Sequence, residues 1–140
     1  MSLILAIDQS TSATKAVLFD AQGKVLDKSS LEHRQIYPQP GWVEHDADEI
    51  WFQTLAAIRD VAKRNLARLS KVIGLSITNQ RETIVVFDRR TGHPLHNALV
   101  WQDRRGDALC ARLTRQGCGP AVLRKTGLKI DTYFSASKLR

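Results

Sequence analysis

Residues 3–31 read LILAIDQSTSATKAVLFDAQGKVLDKSSL. Leu3 to Ile7 is an apolar run of strand length, and Ala16-Val17-Leu18-Phe19 is a second. Asp20-Ala21-Gln22-Gly23 punctuates the chain as a turn, and a third strand follows from about Lys24 to Leu31. Three short strands joined by tight turns predict an antiparallel meander at the very start.

Downstream, Pro38, Pro40 and Gly41 mark residues 33–45 as a loop. Asp46-Ala47-Asp48-Glu49 predicts a helix start, an acid at the cap with Glu three residues on. Ile50, Trp51, Leu55, Ile58, Val61, Ala62 and Leu66 then recur at helical spacing and predict one buried face. Val72 to Ile77 reads as a buried strand, Thr83 to Phe87 as another, and Asp88 to Gly92 as the turn after it. Ala98 to Trp101 is a further strand. Helices are expected over 107–116, closed by Gly117, and over 120–125, ending at Gly127. Ser135 to Arg140 reads as the first turn and a half of another helix.

Strands, a helix, then strands with further helices give an α/β layer architecture. A hairpin meander followed by a helical crossover fits a mixed sheet of the ribonuclease H-like type, with flanking helices, as in actin, hexokinase and Hsp70. That step is fold-level analogy.

The 140 residues suffice for one ordinary domain or part of a larger one. Hydrophobic residues make up 43% and charged residues 25%, the balance of a globular chain. No apolar run approaches the ~18–20 residues that span a bilayer, so no membrane partner is expected. Cys110 and Cys118 lie outside any zinc-like cluster and are expected as free thiols of a cytoplasmic protein.

The formal charge of +7 sits at one end: residues 104–140 hold nine basic side chains against Asp107 and Asp131. Such a segment can serve nucleic acid. Here the basic residues are dispersed through a helical pattern without aromatic interleaving. A surface that packs against acidic polypeptide is the preferred reading, with no nucleic-acid partner.

Three constellations carry chemistry. Asp8-Gln9-Ser10-Thr11-Ser12-Ala13-Thr14-Lys15 joins the first two strands. An acid followed by a hydroxyl-rich turn can hold phosphate oxygens on N–H groups and hydroxyls, and Asp8 can hold Mg²⁺ through water. The same residues also suit a plain hairpin turn. The second is Thr78-Asn79-Gln80-Arg81-Glu82, polar residues leaving a strand end, where α/β sheets commonly bind ligands. Arg81 and Glu82 offer donors and acceptors to a polyhydroxylated substrate, or form a surface ion pair. The third is Trp101-Gln102-Asp103-Arg104-Arg105, with Tyr133-Phe134 near the end. Trp101 either packs in the core or walls a pocket. His33, His45, His93 and His96 show no metal or triad pattern and read as loop residues.

At these residues the chain resembles the FGGY carbohydrate kinases, most of all the N-terminal part of the members that act on glycerol. The matching blocks are Asp8-Gln9-x-Thr11-Ser12, Ile36 to Asp46, Ile77 to Thr83, Asn97 to Gln102 and Thr126 to Ser135. The first is family-level. Pro-Gly-Trp-Val-Glu-His-Asp together with Asn-Gln-Arg-Glu is far more specific.

The resemblance implies ATP-dependent phosphorylation of glycerol to glycerol 3-phosphate. It implies Thr11, Ser12 and Lys15 as phosphate contacts and Asp8 near Mg²⁺. Arg81 and Glu82 would bond the polyol hydroxyls, with Trp101 as apolar wall and Tyr133 closing the pocket. It further implies that residues 1–140 form the N-terminal part of the first kinase domain. The catalytic Asp base and the adenine pocket would lie beyond Arg140, the 140 residues alone would be inactive, and the full enzyme would be a homo-oligomer. Ser10, Ala13 and Lys15 depart from the family's usual Gly, hydroxyl residue and Arg, and all three fall in the phosphate-binding turn. Ser10 in particular is costly if its position needs a left-handed backbone. Another FGGY sugar or polyol kinase, or an actin- or Hsp70-like ATPase module without a small-molecule acceptor, are the competing readings.

Overall fold

A computed structural model describes residues 1–139. They fall into two units, residues 1–34 with 46–80, and residues 35–45 with 81–140.

The first unit is built on the predicted meander. β1 (Leu3–Gln9), β2 (Ala13–Asp20) and β3 (Val25–Glu32) pair antiparallel. Between β2 and β3, the Asp20 carboxylate accepts from the N–H groups of Gln22 and Lys24, both at 2.9 Å. Gly23 there has φ +80°, a conformation that only glycine adopts cheaply.

α1 (Ala47–Arg64) starts as the sequence predicts, with Asp46 Oδ1 accepting from the N–H groups of Asp48 and Glu49. It carries the chain over to β5 (Val72–Thr78), which lies parallel to β1, after a 3₁₀ turn at Leu66–Lys71. The sheet order is β3-β2-β1-β5. This is the mixed sheet with a helical crossover expected from the sequence.

The core explains the register. Leu3, Ile7, Ala16 and Leu18 line one sheet face because Leu5 sits opposite Leu18 and Ile7 opposite Ala16. Ala57 and Val61 of α1 close onto them. Each fully buried Leu or Ile there contributes about 1.5–3 kcal/mol. Ala57 is fully buried, so a Leu in its place would drive the helix off the sheet.

The helical face differs from the expected stripe. Its buried residues are Thr54, Ala57 and Val61, whereas Trp51 and Leu66 are exposed. The small side chains at 54 and 57 let the helix approach closely, which moves the contact line off the bulky ones.

β5 is a strand as predicted, but not a buried one. Ile73, Leu75 and Ile77 are 71%, 59% and 63% exposed. They share the face of Leu5 and Ile7, and α1 packs over β2 and β3 instead.

In the second unit, β4 (Glu44–His45) pairs antiparallel with β6 (Ala98–Leu99). Residues 83–87 were expected as a strand and form only isolated bridges, Ile84 with Leu99 and Phe87 with Pro94. Val85, Val86 and Phe87 stay exposed because no continuous ladder gives them a neighbour. The turn at 88–92 forms as read, Asp88 Oδ1 accepting from the N–H groups of Arg90 and Thr91.

α2 (Asp107–Arg115) and α3 (Gly119–Thr126) follow, close to expectation. Ser135–Lys138 is a 3₁₀ turn, and Arg140 lies outside the described residues. Among the described residues no helix is long and apolar enough to cross a membrane. Cys110 and Cys118 are free thiols.

Candidate functional site

In the first unit the β1–β2 turn is set by Ser10, whose N–H and Oγ both donate to the Ala13 carbonyl, at 3.0 and 2.9 Å. Thr11 and Ser12 therefore stand at the apex, half-buried and exposed respectively. Ser10 carries no strain: among the described non-glycine residues only Glu82 has positive φ. Ala13 is buried, so its side chain offers nothing to a ligand.

Asp8, next to last in β1, lies opposite Lys15. Lys15 Nζ donates to Asp8 Oδ2 at 3.1 Å, and Thr78 Oγ1 donates to Oδ1 at 3.0 Å. These bonds, that from Lys15 first, hold the Asp8 carboxyl below the usual carboxylate range. An ionised, partly exposed carboxylate beside hydroxyls is a suitable anchor for an ion that keeps most of its waters. Among the described residues no group of three or more His, Cys, Asp or Glu is placed to cage a metal.

The same end of the sheet is tied to α1, since Gln9 Nε2 donates to Thr54 Oγ1 at 2.8 Å. Thr14 and His33, both buried, meet at 2.9 Å, and burial lowers the His33 pKa. His33 is thus packed under the hairpin rather than in an open loop, and His45 is fully buried in β4.

In the second unit the segment 81–84 runs beside 98–101. Ile84 and Leu99 exchange two backbone hydrogen bonds, and the Trp101 N–H donates to Thr83 Oγ1 at 3.3 Å. This places Glu82 one residue from the tie to Trp101. Glu82 has φ +61°, uncommon for a residue with a Cβ. Its carboxylate accepts from Ser135 Oγ at 3.2 Å. Backbone strain of this kind clusters at functional positions. Arg81, next to it, is exposed.

Trp101 meets Tyr133 edge-on, centroids 5.6 Å apart and planes at 60°, and Tyr133 meets Phe134 at 5.2 Å. Trp101 is half-buried, which leaves part of it able to face a ligand.

Asp103 and Arg105 of the third constellation form an ion cluster with Glu44, a pairing that the sequence pattern does not assign. Arg105 donates to Asp103 Oδ1 and Oδ2, both at 2.9 Å, and to Glu44 Oε1 at 2.6 Å. Asp103 Oδ2 also accepts from the Val43 N–H at 2.8 Å. The Arg105 guanidinium lies 3.9 Å from the centre of the Trp42 ring, a cation–π contact. Burial opposes the charge on Asp103 and Glu44, but the bonds from Arg105, together with those from Asn97 to Glu44 and from the Val43 N–H to Asp103, hold both carboxyls below their ordinary range. The hint in the sequence was the Gly-Trp-Val-Glu-His loop, whose Trp42 and Glu44 both contact Arg105.

A separate apolar cavity of about 240 Å³ is lined by residues including Leu109, Leu113, Val122, Ile130 and Phe134. Its lining includes none of Arg81, Glu82, Trp101 or Tyr133.

Comparison with known proteins gives a consistent picture. The chain is 51% identical to a glycerol kinase of Symbiobacterium thermophilum over 137 residues, 98% of this chain and 28% of that protein. The structure of a Plasmodium falciparum glycerol kinase with ADP superposes with a TM-score of 0.92 and 38% identity, covering 99% of this chain and 28% of that one. A gluconate kinase from Lactobacillus acidophilus shares the fold at a TM-score of 0.89 and 24% identity, covering 99% of this chain and 27% of that one. The chain thus spans about 28% of the length of the relatives it matches. The model of the N-terminal domain of the FGGY carbohydrate kinases matches residues 3–140. The chain belongs to the FGGY family of carbohydrate kinases.

Proposed function

We propose that this chain supplies the phosphate-binding hairpin and most of the acceptor pocket of a kinase that transfers phosphate from ATP to glycerol, giving glycerol 3-phosphate. The carrying observation is that a sequence half identical to a glycerol kinase gathers Glu82, Trp101 and Tyr133 around one segment of the second unit.

The chemistry fits that assignment. Phosphoryl transfer demands positioning and charge neutralisation more than covalent chemistry from the protein. Thr11 and Ser12 at the turn apex, with Lys15, suit phosphate oxygens. Asp8 suits Mg²⁺, which when bound neutralises phosphate charge. Burying a polyol requires a partner for each hydroxyl. Arg81 donates, Glu82 accepts, Tyr133 does both, and Trp101 covers the carbons.

The protein is further proposed to be cytoplasmic, with residues 1–140 forming the N-terminal part of the first kinase domain and the full enzyme a homo-oligomer. Residues 1–140 by themselves release no ADP.

The test is ADP release by the intact gene product with ATP, Mg²⁺ and a panel of glycerol, xylulose, gluconate, ribulose and erythritol. Selective turnover with glycerol supports the assignment. Turnover with another acceptor keeps the family and discards the substrate. Acceptor-independent ATP hydrolysis points to an ATPase module.

A further inference from the structure

Lys138 is only 5% exposed, although a lysine is among the residues least often buried. Its ammonium donates to the carbonyls of Val100 and Trp101, at 2.9 and 3.0 Å. Three residues earlier, Ser135 Oγ donates to the Glu82 carboxylate at 3.2 Å and lies 3.4 Å from the Glu82 carbonyl. Between them Ser137 packs on Gly106, where an added Cβ would lie 2.5 Å from Ser137 Oγ. That glycine lets the 135–138 turn settle onto the loop that follows Trp101.

One short turn therefore grips both Trp101 and Glu82, from a distance of 37 and 53 residues along the chain. Burial lowers the Lys138 pKa, and the carboxylates of Asp103 and Glu82 offset this only in part. Packing alone does not account for a charge here. A Met would fill much of the same space without desolvating an ammonium.

We propose that the 135–138 turn is a brace for the acceptor pocket, in which Lys138 positions Trp101 and Ser135 positions Glu82 in its left-handed conformation. Both are positioning residues, acting through side chains that touch the acceptor. The proposal rests on the reading of Arg81, Glu82, Trp101 and Tyr133 as the acceptor pocket.

The experiment compares Lys138→Met, Ser135→Ala and Ser135→Thr in the intact gene product. Acceptor KM, ATP KM, thermal midpoint and backbone hydrogen exchange are measured for each. Lys138→Met is expected to raise the glycerol KM about tenfold, and Ser135→Ala about fivefold, with ATP KM unchanged. Ser135→Thr, which keeps the hydroxyl, restores the wild-type value. Exchange at 81–84 and 99–103 quickens in the first two variants. Variants that shift only the thermal midpoint, leaving glycerol KM and exchange at those segments untouched, overturn the brace. Should Lys138→Met not fold, Ser135→Ala against Ser135→Thr decides by the same criteria. If the intact protein shows no acceptor-dependent ADP release, the pocket reading has failed. Exchange then still decides: quickened exchange in Ser135→Ala keeps the brace, and unchanged exchange removes it.

Discussion

Thr78 Oγ1 donates to Asp8 Oδ1 at 3.0 Å, so the ends of two parallel strands 70 residues apart in sequence share one carboxylate. The other oxygen takes Lys15, in an ion pair whose partners are 42% and 47% exposed. Exposed pairs of this kind contribute only about 0–1 kcal/mol. Asp8→Asn is therefore expected to leave the urea midpoint of the intact protein nearly unchanged. If Asp8 organises the phosphates, ADP release falls by about 100-fold or more. A loss of activity matched by a loss of stability would assign Asp8 to the fold instead.

Glu82 is a second position where stability and activity should separate. Its φ of +61° costs about 1 kcal/mol that glycine does not incur. Glu82→Gly relieves that strain but frees the unfolded chain, so thermal stability should stay within about 1 kcal/mol of wild type. Glycerol turnover should be lost. The measurement is calorimetry beside the coupled ADP assay, and a glycine variant that still phosphorylates glycerol removes Glu82 from the pocket.

Tyr133 combines an aromatic edge contact with a phenolic hydroxyl. Tyr133→Phe keeps the packing against Trp101 and Phe134 and deletes one hydrogen-bonding group. Glycerol KM is expected to rise about tenfold with the thermal midpoint unmoved. Tyr133→Ala should raise it further and weaken the fold around Trp101.

The Arg105 cluster has a stability role that mutation exposes. Asp103 is fully buried and Glu44 almost so, and both depend on one guanidinium. Arg105→Met leaves two carboxylates buried without it, a change that costs about 3–5 kcal/mol. Replacing Arg105 and Asp103 together by apolar residues should recover part of that loss. Chemical denaturation of the single and double variants reads the difference.

Acid should act on the same cluster. Both carboxyls titrate below their ordinary values of 4.5 for Glu44 and 3.8 for Asp103 in the folded protein. The unfolded chain then binds protons at higher pH than the folded one, so stability declines as the pH falls. The contribution is whole above those ordinary values and disappears as the pH drops through the lower folded ones. Urea midpoints between pH 7 and pH 2.5 should fall steeply at the acid end, and less steeply in Asp103→Asn.

Much of this was legible in the sequence because it is local. The β1–β2–β3 meander follows from apolar runs and a Gly-containing turn, and α1 from Asp46 and the acids behind it. Polar clusters leaving strand ends marked Asp8, Glu82 and Trp101 as candidates. Whether an apolar segment is covered is not a local property. Residues 72–78 and 83–87 look equally strand-like, yet one joins a ladder and the other makes only isolated bridges.

Periodicities, caps and turns are written in the residue order, since each is fixed by neighbours within a few residues. Long-range packing brings Arg105 back 61 residues to Glu44 and sets Lys138 on the carbonyls of Val100 and Trp101. Nothing in the pattern around Lys138 separates it from a surface lysine. Its role arises because the fold desolvates its ammonium beside two carbonyls, and desolvation depends on what the rest of the chain packs around a group.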